Sequence, residues 1–226
     1  MKAMILAAGR GERMRPLTDT TPKPLLCAGG KPLILWHLER LAISGFRDIV
    51  INHAHLGEQI EQALGDGSRF GLSIRYSPEP PGALETAGGI AKALPLLGNA
   101  PFLVVNGDVW CDWDFRRAHA LQPAMGHLVF VSNPPQHPNG DFCLNGNTVR
   151  YAADAIGPTR TYAGTGVFSP DFFREVTPGT VMKLRPLLDA GIARHIITGE
   201  FHDGEWVDVG TPERLAELDK ELRKRP

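Results

Sequence analysis

The sequence contains few cysteines and no long apolar run. The three cysteines, Cys27, Cys111 and Cys143, are far apart and form no C-x-x-C pair, which leaves no zinc or redox motif of that type. We interpret them as reduced thiols and expect a cytoplasmic protein. No stretch reaches the roughly 18 apolar residues that a membrane span requires. The apolar start of the chain leads directly into Gly9 and Arg10, which is no signal-peptide cleavage site, so we predict a buried first strand there and no membrane association.

The chain also lacks an excess of charge of either sign. It has 24 Lys and Arg against 25 Asp and Glu, a net charge of −1, whereas proteins that bind nucleic-acid phosphates usually carry a basic surplus. We therefore expect no nucleic-acid partner. Glycine (25) and proline (19) are frequent but stay below the share typical of disorder, so ordered loops are expected. A length of 226 residues without a repeat or a long linker favours a single domain over residues 1–226.

Short apolar runs alternate with helical patterns in the first half of the chain. This alternation predicts an α/β fold, in which a parallel sheet is covered by helices. The strands predicted in this half are Ala3–Leu6, Ile49–Ile51, Ser73–Tyr76 and Phe102–Val105. The helices predicted between them are Pro32–Ser44, Leu56–Leu64 and Glu85–Leu94.

The pattern changes after Asp108. Strand-like segments separated by turn-rich runs predict an antiparallel or mixed extension of the same sheet. The strands predicted here are His127–Val131, Asp141–Leu144, Thr148–Tyr151 and Tyr162–Phe168. A terminal helix is predicted from Thr211 to Lys224, because a Thr N-cap, a Pro at the first helical position and late basic residues all favour it.

The loop that follows the first predicted strand carries the first signal for chemistry. Small residues, among them Gly9 and Gly11, allow backbone N–H groups to approach an anion closely, and Arg13 and Arg15 add positive charge. This pattern predicts a phosphate cradle. It is not a dinucleotide fingerprint, because Met14 stands where the third glycine is required, and no Gly-Lys-Ser/Thr follows as in a P-loop.

Three further charged residues are suited to work on phosphates. Lys23 lies between Pro22 and Pro24, which restrict the backbone and can fix the position of its charge. Asp108 follows a predicted buried strand, at the edge where open α/β sheets bind ligands. Asp208 lies between two valines, where a carboxylate is costly unless it is paired or bound to a metal. We predict a Mg²⁺ site at the two aspartates if the fold brings them together.

Taken in order, these segments resemble the sugar-phosphate nucleotidyltransferases over nearly the whole chain. The resemblance rests on the glycine-rich loop with Arg13, on Pro22-Lys23-Pro24, on Asn106-Gly107-Asp108 and on Trp206-Val207-Asp208-Val209-Gly210-Thr211. It implies a Rossmann-like, mixed, mostly parallel sheet flanked by helices, with a nucleotide-binding half at about 1–110 and a sugar-binding half at about 111–226. Family members often have Thr where Glu12 stands and carry a C-terminal β-helix or another extension, and this sequence has neither feature.

The resemblance implies roles for individual residues. Nucleotide contacts are implied for the glycine-rich loop and a later segment, at Gly9, Gly11, Glu12, Arg13, Lys23, Glu79, Gly82, Thr86 and Gly88. Contacts with the sugar phosphate are implied for Asn106, Asp141, Asp154 and Gly164, with Asn52 as a further pocket candidate. Arg15, Lys23 and Asp108 are implied to be catalytic, and Asp108 and Asp208 to bind Mg²⁺ as the cofactor.

Within the family, the short length and several loop sequences are most similar to bacterial uridylyltransferases of cell-wall recycling. This implies UTP and a sugar 1-phosphate as small-molecule substrates, and the lack of the extensions that often mediate assembly favours a monomer. The sugar implied carries a carboxylate and would need a cationic partner. We consider Arg160, Lys183 and Arg185 for this role.

Three alternatives stay open. The same fold could act on another pair of substrates, such as mannose 1-phosphate with GTP or glucose 1-phosphate with dTTP, because base choice depends on a few contacts in Glu79–Gly89. A non-enzymatic subunit that senses nucleotide sugars would be expected to lose Lys23 or a metal aspartate, and the sequence keeps them. His53 and His55 have the H-x-H spacing of some zinc sites, without a third ligand nearby.

Overall fold

The computed structural model describes residues 1–151, 153 and 157–224. Its strands are β1 (Lys2–Leu6), β2 (Cys27–Ala28), β3 (Lys31–Pro32), β4 (Asp48–His53), β5 (Ser73–Pro78), β6 (Phe102–Asn106), β7 (Val109–Cys111), β8 (Gly126–Val131), β9 (Phe142–Asn145), β10 (Thr148–Arg150), β11 (Thr159–Phe168), β12 (Ile197–Phe201) and β13 (Trp206–Asp208). Its α-helices are α1 (Leu33–Ile43), α2 (Gly57–Leu64), α3 (Glu85–Leu97), α4 (Leu184–Ala193) and α5 (Pro212–Leu222).

Nine of the strands form one sheet in the order β5-β4-β1-β6-β11-β8-β12-β10-β9. The first four of these run parallel to one another. Strand β11 then pairs antiparallel with β6, β8 antiparallel with β11, and β12 parallel with β8. Within this described sheet, β10 and β11 run opposite to the other strands. The sheet is therefore mixed and mostly parallel, as predicted, and the described residues contain no β-helix.

The central strands are apolar throughout because both faces of the sheet are covered. In β1, Ala3 and Ile5 face a core that contains α1 and α2, whereas Met4 faces a core that contains α3 and α4. A third, smaller cluster packs α5 against Trp110 and Leu26. This layering leaves the strand ends as the place where polar side chains are exposed. Among the described residues, no helix combines the length and apolar character needed to cross a membrane.

The predicted elements are confirmed with small shifts at their ends. Helix α3 continues to Leu97, past the predicted end at Leu94, although Pro95 lies inside it. Helix α5 begins at Pro212, and the Thr211 hydroxyl accepts a hydrogen bond from the Arg214 N–H, as a Thr N-cap should. Helix α4 and strand β12 were not predicted. The three cysteines are free, with Cys27 exposed and the other two buried.

His37 is a titratable group in the core. It lies on α1, is 3% exposed, and its Nδ1 has no hydrogen-bond partner among the described residues. Burial, together with the nearby Arg40 guanidinium, lowers the pKa of His37 from 6.5 to about 4. The folded protein therefore holds this ring neutral at pH values where the unfolded chain already binds a proton.

We expect acid to destabilise the protein through His37. Above pH 6.5 the ring is neutral in both the folded and the unfolded state, and the free energy of unfolding is unaffected by its titration. As the pH falls from 6.5 towards 4, the unfolded chain binds a proton that the folded protein does not. The free energy of unfolding therefore falls, by about 2 kcal/mol at pH 5. Urea unfolding of the wild type and His37→Gln at pH 7 and pH 5 measures it. The free energy of unfolding of the wild type should fall more than that of the variant, and equal losses would contradict the prediction.

Candidate active site

The parallel strands bring polar residues to one edge of the sheet. In the register of β1, Leu6 lies opposite Asn52 at the end of β4 and Asn106 at the end of β6. A cleft of about 320 Å³ opens at this edge. Among the residues that line it are Gly9, Arg10, Lys23, Asn52, Glu79, Gly82, Thr86, Asn106 and Asp108. The first cleft thus collects residues predicted for the nucleotide.

A second cleft, of about 220 Å³, lies on the side of the antiparallel strands. It is lined by Asn106, Asp108, Val109, Pro134, Gln136, His137, Thr161, Tyr162, Gly164, Trp206 and Asp208. Asn106 and Asp108 line both clefts. Two ligands bound in the two clefts would therefore meet at the end of β6.

The glycine-rich loop passes closely over Lys23. Gly11 has a φ of +71°, and a Cβ at this position would lie 3.0 Å from Thr18 Cγ2 and 3.4 Å from Lys23 Cβ. The Thr18 hydroxyl donates a hydrogen bond of 2.9 Å to the Gly11 carbonyl. A side chain at Gly11 would be strained and would push the loop away from the lysine.

The arginines of this loop are placed differently from the prediction. Arg10, which was not predicted, lines the first cleft and donates to the Thr18 carbonyl at 2.7 Å. The Arg15 side chain is 55% exposed and pairs with Asp19 at 2.8 Å and Glu12 at 3.5 Å. The structure places neither Arg15 nor Glu12 in the lining of a described cleft, so the catalytic role of Arg15 and the nucleotide contact of Glu12 stay predictions.

Lys23 and Asp108 form an ion pair between the two clefts. The Lys23 side chain is 8% exposed, and its Nζ donates to Asp108 Oδ2 at 2.6 Å. Flanking Pro22 is extended, and Lys23 begins a short 3₁₀ turn, so the backbone directs the side chain inward as its proline neighbours predict. A buried ammonium group has a stronger field than one in water, which suits it to a phosphate.

Strands β7 and β13 bring Asp108 and Asp208 together. They pair as a two-stranded ribbon with Asp208 opposite Val109, and the Val209 N–H donates to the Asp108 carbonyl at 2.9 Å. Asp208 Oδ2 accepts a hydrogen bond of 2.6 Å from Arg214. Both carboxylates line the second cleft. Two carboxylates at a phosphate site are the ligand set that Mg²⁺ prefers, so these residues fit the ion that the family resemblance implies.

Arg13 lies next to this ribbon. A Cβ at Gly210 would lie 3.0 Å from Arg13 Nη2, so the guanidinium group of Arg13 lies against the residue two positions after Asp208. The glycine-rich loop and the ribbon are therefore in contact, although they are far apart in sequence.

A hydrogen-bond network connects the loops of the first cleft. Asn52 Oδ1 accepts from the Ala7 N–H at 2.9 Å, and Asn52 Nδ2 donates to Glu79 Oε1 at 2.6 Å. The second oxygen of Glu79 accepts from the Leu84 N–H at 2.7 Å. Asn52 and Glu79 are both buried. Glu79 therefore fixes the loop that carries Gly82 to the ends of β1 and β4.

Gly88 lies away from the cleft. Its N–H donates to the Met182 carbonyl at 3.1 Å, and a Cβ at this position would overlap the Thr180 carbonyl oxygen. Gly88 thus allows α3 to pack closely against the segment before α4. Gly88 lines neither described cleft, so its contact with the nucleotide stays a prediction.

We expect Gly88→Ala to affect stability and Gly9→Ala to affect nucleotide binding. Gly88→Ala should lower the free energy of unfolding by about 1–2 kcal/mol, because overlap with backbone outweighs the helix propensity gained, without a comparable change in KM for the nucleotide. A Cβ at Gly9 would have no other atom within 4 Å, so the alanine variant there should keep its stability. Because Gly9 lines the first cleft, the added methyl group should raise KM for the nucleotide. Urea unfolding and steady-state kinetics of both variants measure this. A rise in KM for Gly88→Ala at wild-type stability would contradict it.

The structure brings some of the residues predicted to contact the sugar phosphate close together. Gly164 has a φ of +71°, and a Cβ there would lie 2.7 Å from Asn106 Nδ2, so this glycine makes room for the asparagine. It lies where the register of β11 against β8 shifts between Tyr162 and Gly166, a bulge of the kind found next to binding sites. Asp141 contacts His137 and Tyr162, which line the second cleft. Asp154 lies outside the described residues.

The candidate partners for a sugar carboxylate do not line either described cleft. The Arg160 guanidinium stacks on Phe201, with 4.1 Å between its Cζ and the ring centroid. Arg185 pairs with Asp189 at 2.8 Å, and Lys183 is exposed at the start of α4.

The histidines considered for zinc have other partners. His53 contacts Glu61 at 2.7 Å, and His55 contacts the Thr18 carbonyl at 2.9 Å. The cluster of potential metal ligands among the described residues is a different one, formed by Cys111, Asp112 and His202. Burial raises the pKa of the Cys111 thiol to about 11, so that sulfur is a protonated thiol at neutral pH.

Sequence reasoning missed several residues that line or support the clefts. Arg10, between the two glycines, was not predicted as a site residue. Arg214 carried a signal, since a cation in the first turn of a helix is unfavourable against the helix dipole and so points to a partner such as Asp208. His137 comes from the loop between β8 and β9, which only the folded sheet brings to the second cleft.

Comparison with known proteins gives consistent matches. The family described as nucleotidyl transferase matches residues 2–144. The chain is 56% identical over 223 residues to the N-acetylmuramate alpha-1-phosphate uridylyltransferase of Neisseria meningitidis serogroup B, with 96% of each chain covered. It is 33% identical to the protein of the same name from Caulobacter vibrioides, covering 98% of this chain and 96% of that one.

A solved structure supports the same fold. A Bacillus anthracis protein described as a putative glucose-1-phosphate thymidylyltransferase superposes with a TM-score of 0.86, covering 100% of this chain and 96% of its own. The sequence identity is 23%, so this likeness concerns the fold alone.

Proposed function

Because the chain belongs to the nucleotidyl transferase family, we propose that it transfers UMP from UTP to N-acetylmuramate α-1-phosphate. The products are UDP-N-acetylmuramate and pyrophosphate. The proposal is supported by the names of relatives that match nearly the full length of the chain at 56% and 33% identity. The observation that carries it in the structure is the pair of clefts that share Asn106 and Asp108 beside Lys23.

The reaction needs two phosphates to approach each other. A phosphate oxygen of the sugar phosphate forms a bond to the α-phosphorus of UTP, and the bond from that phosphorus to the oxygen bridging the α- and β-phosphates breaks. Pyrophosphate leaves with the electron pair. No general base is required, because a phosphate monoester with a second pKa near 6 is largely ionised at neutral pH. The task of the protein is alignment and charge stabilisation.

The residues at the junction are suited to that task. We propose that the backbone of Gly9 to Gly11 and the side chain of Arg10 bind the triphosphate, and that the Lys23 ammonium stabilises charge on the α-phosphate. Asp108 and Asp208 would hold Mg²⁺, which when bound would reduce the repulsion between the triphosphate and the incoming phosphate. Asn106, which lines both clefts, would orient the sugar phosphate towards the nucleotide.

The setting of the reaction is part of the proposal. N-acetylmuramate is a bacterial cell-wall sugar, so the enzyme would act in peptidoglycan recycling in the cytoplasm. We propose that it works as a monomer, which light scattering coupled to size-exclusion chromatography tests directly.

A substrate panel tests the function. Pyrophosphate release would be measured with Mg²⁺ for UTP, GTP, dTTP and CTP, each with N-acetylmuramate 1-phosphate, N-acetylglucosamine 1-phosphate, glucose 1-phosphate and mannose 1-phosphate. We expect the highest kcat/KM for UTP with N-acetylmuramate 1-phosphate. A preference for GTP with mannose 1-phosphate would overturn the substrate assignment, and nucleotide binding without turnover of any pair would favour a sensor subunit.

A further inference from the structure

The second cleft has an unusual charge distribution for a sugar carrying an acidic group. Its lining includes the carboxylates of Asp108 and Asp208, each already paired with a basic side chain. Of the described residues that line this cleft, His137 is the one whose side chain can carry a positive charge. Since the basic partners of the aspartates are already engaged, a protonated imidazole at His137 is the cationic group of the described lining that could attract an anionic substituent on the sugar.

His137 is held in an ordered turn between β8 and β9. Its N–H donates to the Pro134 carbonyl at 2.9 Å, and its own carbonyl accepts from the Gly140 N–H at 3.1 Å. The side chain of Asn133 closes the loop by donating to the Pro138 carbonyl at 3.1 Å. Its amide oxygen accepts from the Thr161 hydroxyl at 2.9 Å. The histidine is thus presented to the cleft from a fixed backbone.

Asp141 sets the orientation of the His137 ring. Asp141 Oδ1 lies 3.2 Å from His137 Nε2, and Asp141 Oδ2 accepts from the Tyr162 N–H at 2.8 Å. The carboxylate can only accept, so Nε2 carries the proton in this contact. The contact with Asp141 uses Nε2 and leaves Nδ1 as the other ring nitrogen. In the doubly protonated ring Nδ1 is a charged N–H donor, and His137 lines the second cleft with 43% of its side chain exposed.

We propose that His137, oriented by Asp141, binds the carboxylate of the lactyl group of N-acetylmuramate 1-phosphate and selects this sugar over N-acetylglucosamine 1-phosphate. This inference rests on the proposed function. The two sugars differ in the lactyl ether, so a residue that binds its carboxylate affects one substrate and leaves the other unchanged. In this assignment His137 is a specificity residue, and Asp141 is a positioning residue that acts through it.

The test is the ratio of kcat/KM for the two sugar phosphates with UTP. His137→Asn removes the charge, and His137→Lys keeps a cation. N-acetylglucosamine 1-phosphate serves as an alternative substrate, or as a competitive inhibitor where its turnover is too slow to measure. Arg185→Ala is the matched control, because this cation belongs to the same half of the chain but pairs with Asp189 outside the cleft lining.

We expect His137→Asn to lower the selectivity for N-acetylmuramate 1-phosphate by about 10- to 100-fold, the usual worth of a hydrogen bond to a charged group. The loss should appear in KM. His137→Lys should recover part of the selectivity, and Arg185→Ala should keep the wild-type ratio. In the His137 variants the kinetic constants for N-acetylglucosamine 1-phosphate should change less than those for N-acetylmuramate 1-phosphate, and urea unfolding of each variant reports whether the fold is intact.

Two failures can be told apart. If the wild type uses N-acetylmuramate 1-phosphate and His137→Asn keeps its selectivity, or weakens both sugars equally, the role of His137 is wrong and the proposed function stands. If the wild type does not use N-acetylmuramate 1-phosphate, the proposed function fails, and the inference about His137 is overturned with it.

Discussion

Replacing Lys23 with methionine is expected to lower kcat by at least about 10²–10³-fold, the usual cost of losing a fixed donor to a transition-state oxyanion. The ammonium group is nearly buried in the first cleft and is paired with Asp108, which lines both clefts. No described side chain duplicates it there, since Arg10 lies on the glycine-rich loop and Arg214 is paired with Asp208. Methionine keeps the apolar stem of the lysine, so the loss is one of charge rather than of packing.

Steady-state rates of pyrophosphate release measure this effect. Lys224→Met is the control, because Lys224 forms an exposed pair with Glu221 near the end of α5 and should keep wild-type kinetics. Near-normal turnover of Lys23→Met with an unchanged unfolding midpoint would exclude Lys23 from the chemistry. Since the variant leaves Asp108 without its ammonium partner, its unfolding curve also reports the structural share of the pair.

Asp208→Asn is expected to reduce turnover by at least about 10- to 100-fold at moderate Mg²⁺, with part of the loss recovered at high Mg²⁺. The amide has the shape of the carboxylate but is a weaker ligand for a hard cation. It also loses the ion pair with Arg214. The expected signature is therefore a shift of the Mg²⁺ dependence to higher concentrations, which a loss of folding would not produce.

Titration of activity with Mg²⁺ measures the shift. Asp171→Asn serves as the control, because Asp171 pairs with Arg174 on the surface and lines neither described cleft. An Asp208→Asn variant with the Mg²⁺ dependence of the wild type would remove this residue from the proposed metal site. If the variant were inactive at every Mg²⁺ concentration, unfolding and UTP-binding measurements would separate a misfolded protein from one that binds but does not react.

The first half of the fold was predictable because its strands are short, apolar and buried on both faces. In β1 and β6 every core residue has an apolar side chain, and the residues that follow them are small or polar. The failure at α4 and β12 has a physical cause. Gly191 in α4 and Gly199 in β12 interrupt the apolar pattern from which such elements are predicted. The structure nevertheless needs glycine at both positions for close packing, because Cβ atoms there would lie 2.7 Å from Ile197 and Phe130 respectively.

The candidate site was predictable where a local sequence carries the chemistry. The prolines around Lys23 and the strand before Asp108 are local signals, and both side chains are found in the first cleft. The pairs of Asp208 with Arg214 and of Asp141 with His137 are close in sequence, six and four residues apart. They escaped prediction because neither pair lies within one helix. Arg214 approaches Asp208 from the start of α5, and His137 approaches Asp141 through a loop with three prolines, and no helical or strand periodicity predicts such turns.

The ribbon of β7 and β13 has a consequence for biosynthesis. Asp108 emerges from the ribosome with the first half of the protein, whereas Asp208 and Arg214 follow only after all nine strands of the large sheet have been made. The second carboxylate of the proposed Mg²⁺ site is therefore among the last parts of the site to be translated, and we expect catalytic competence to arrive late in translation.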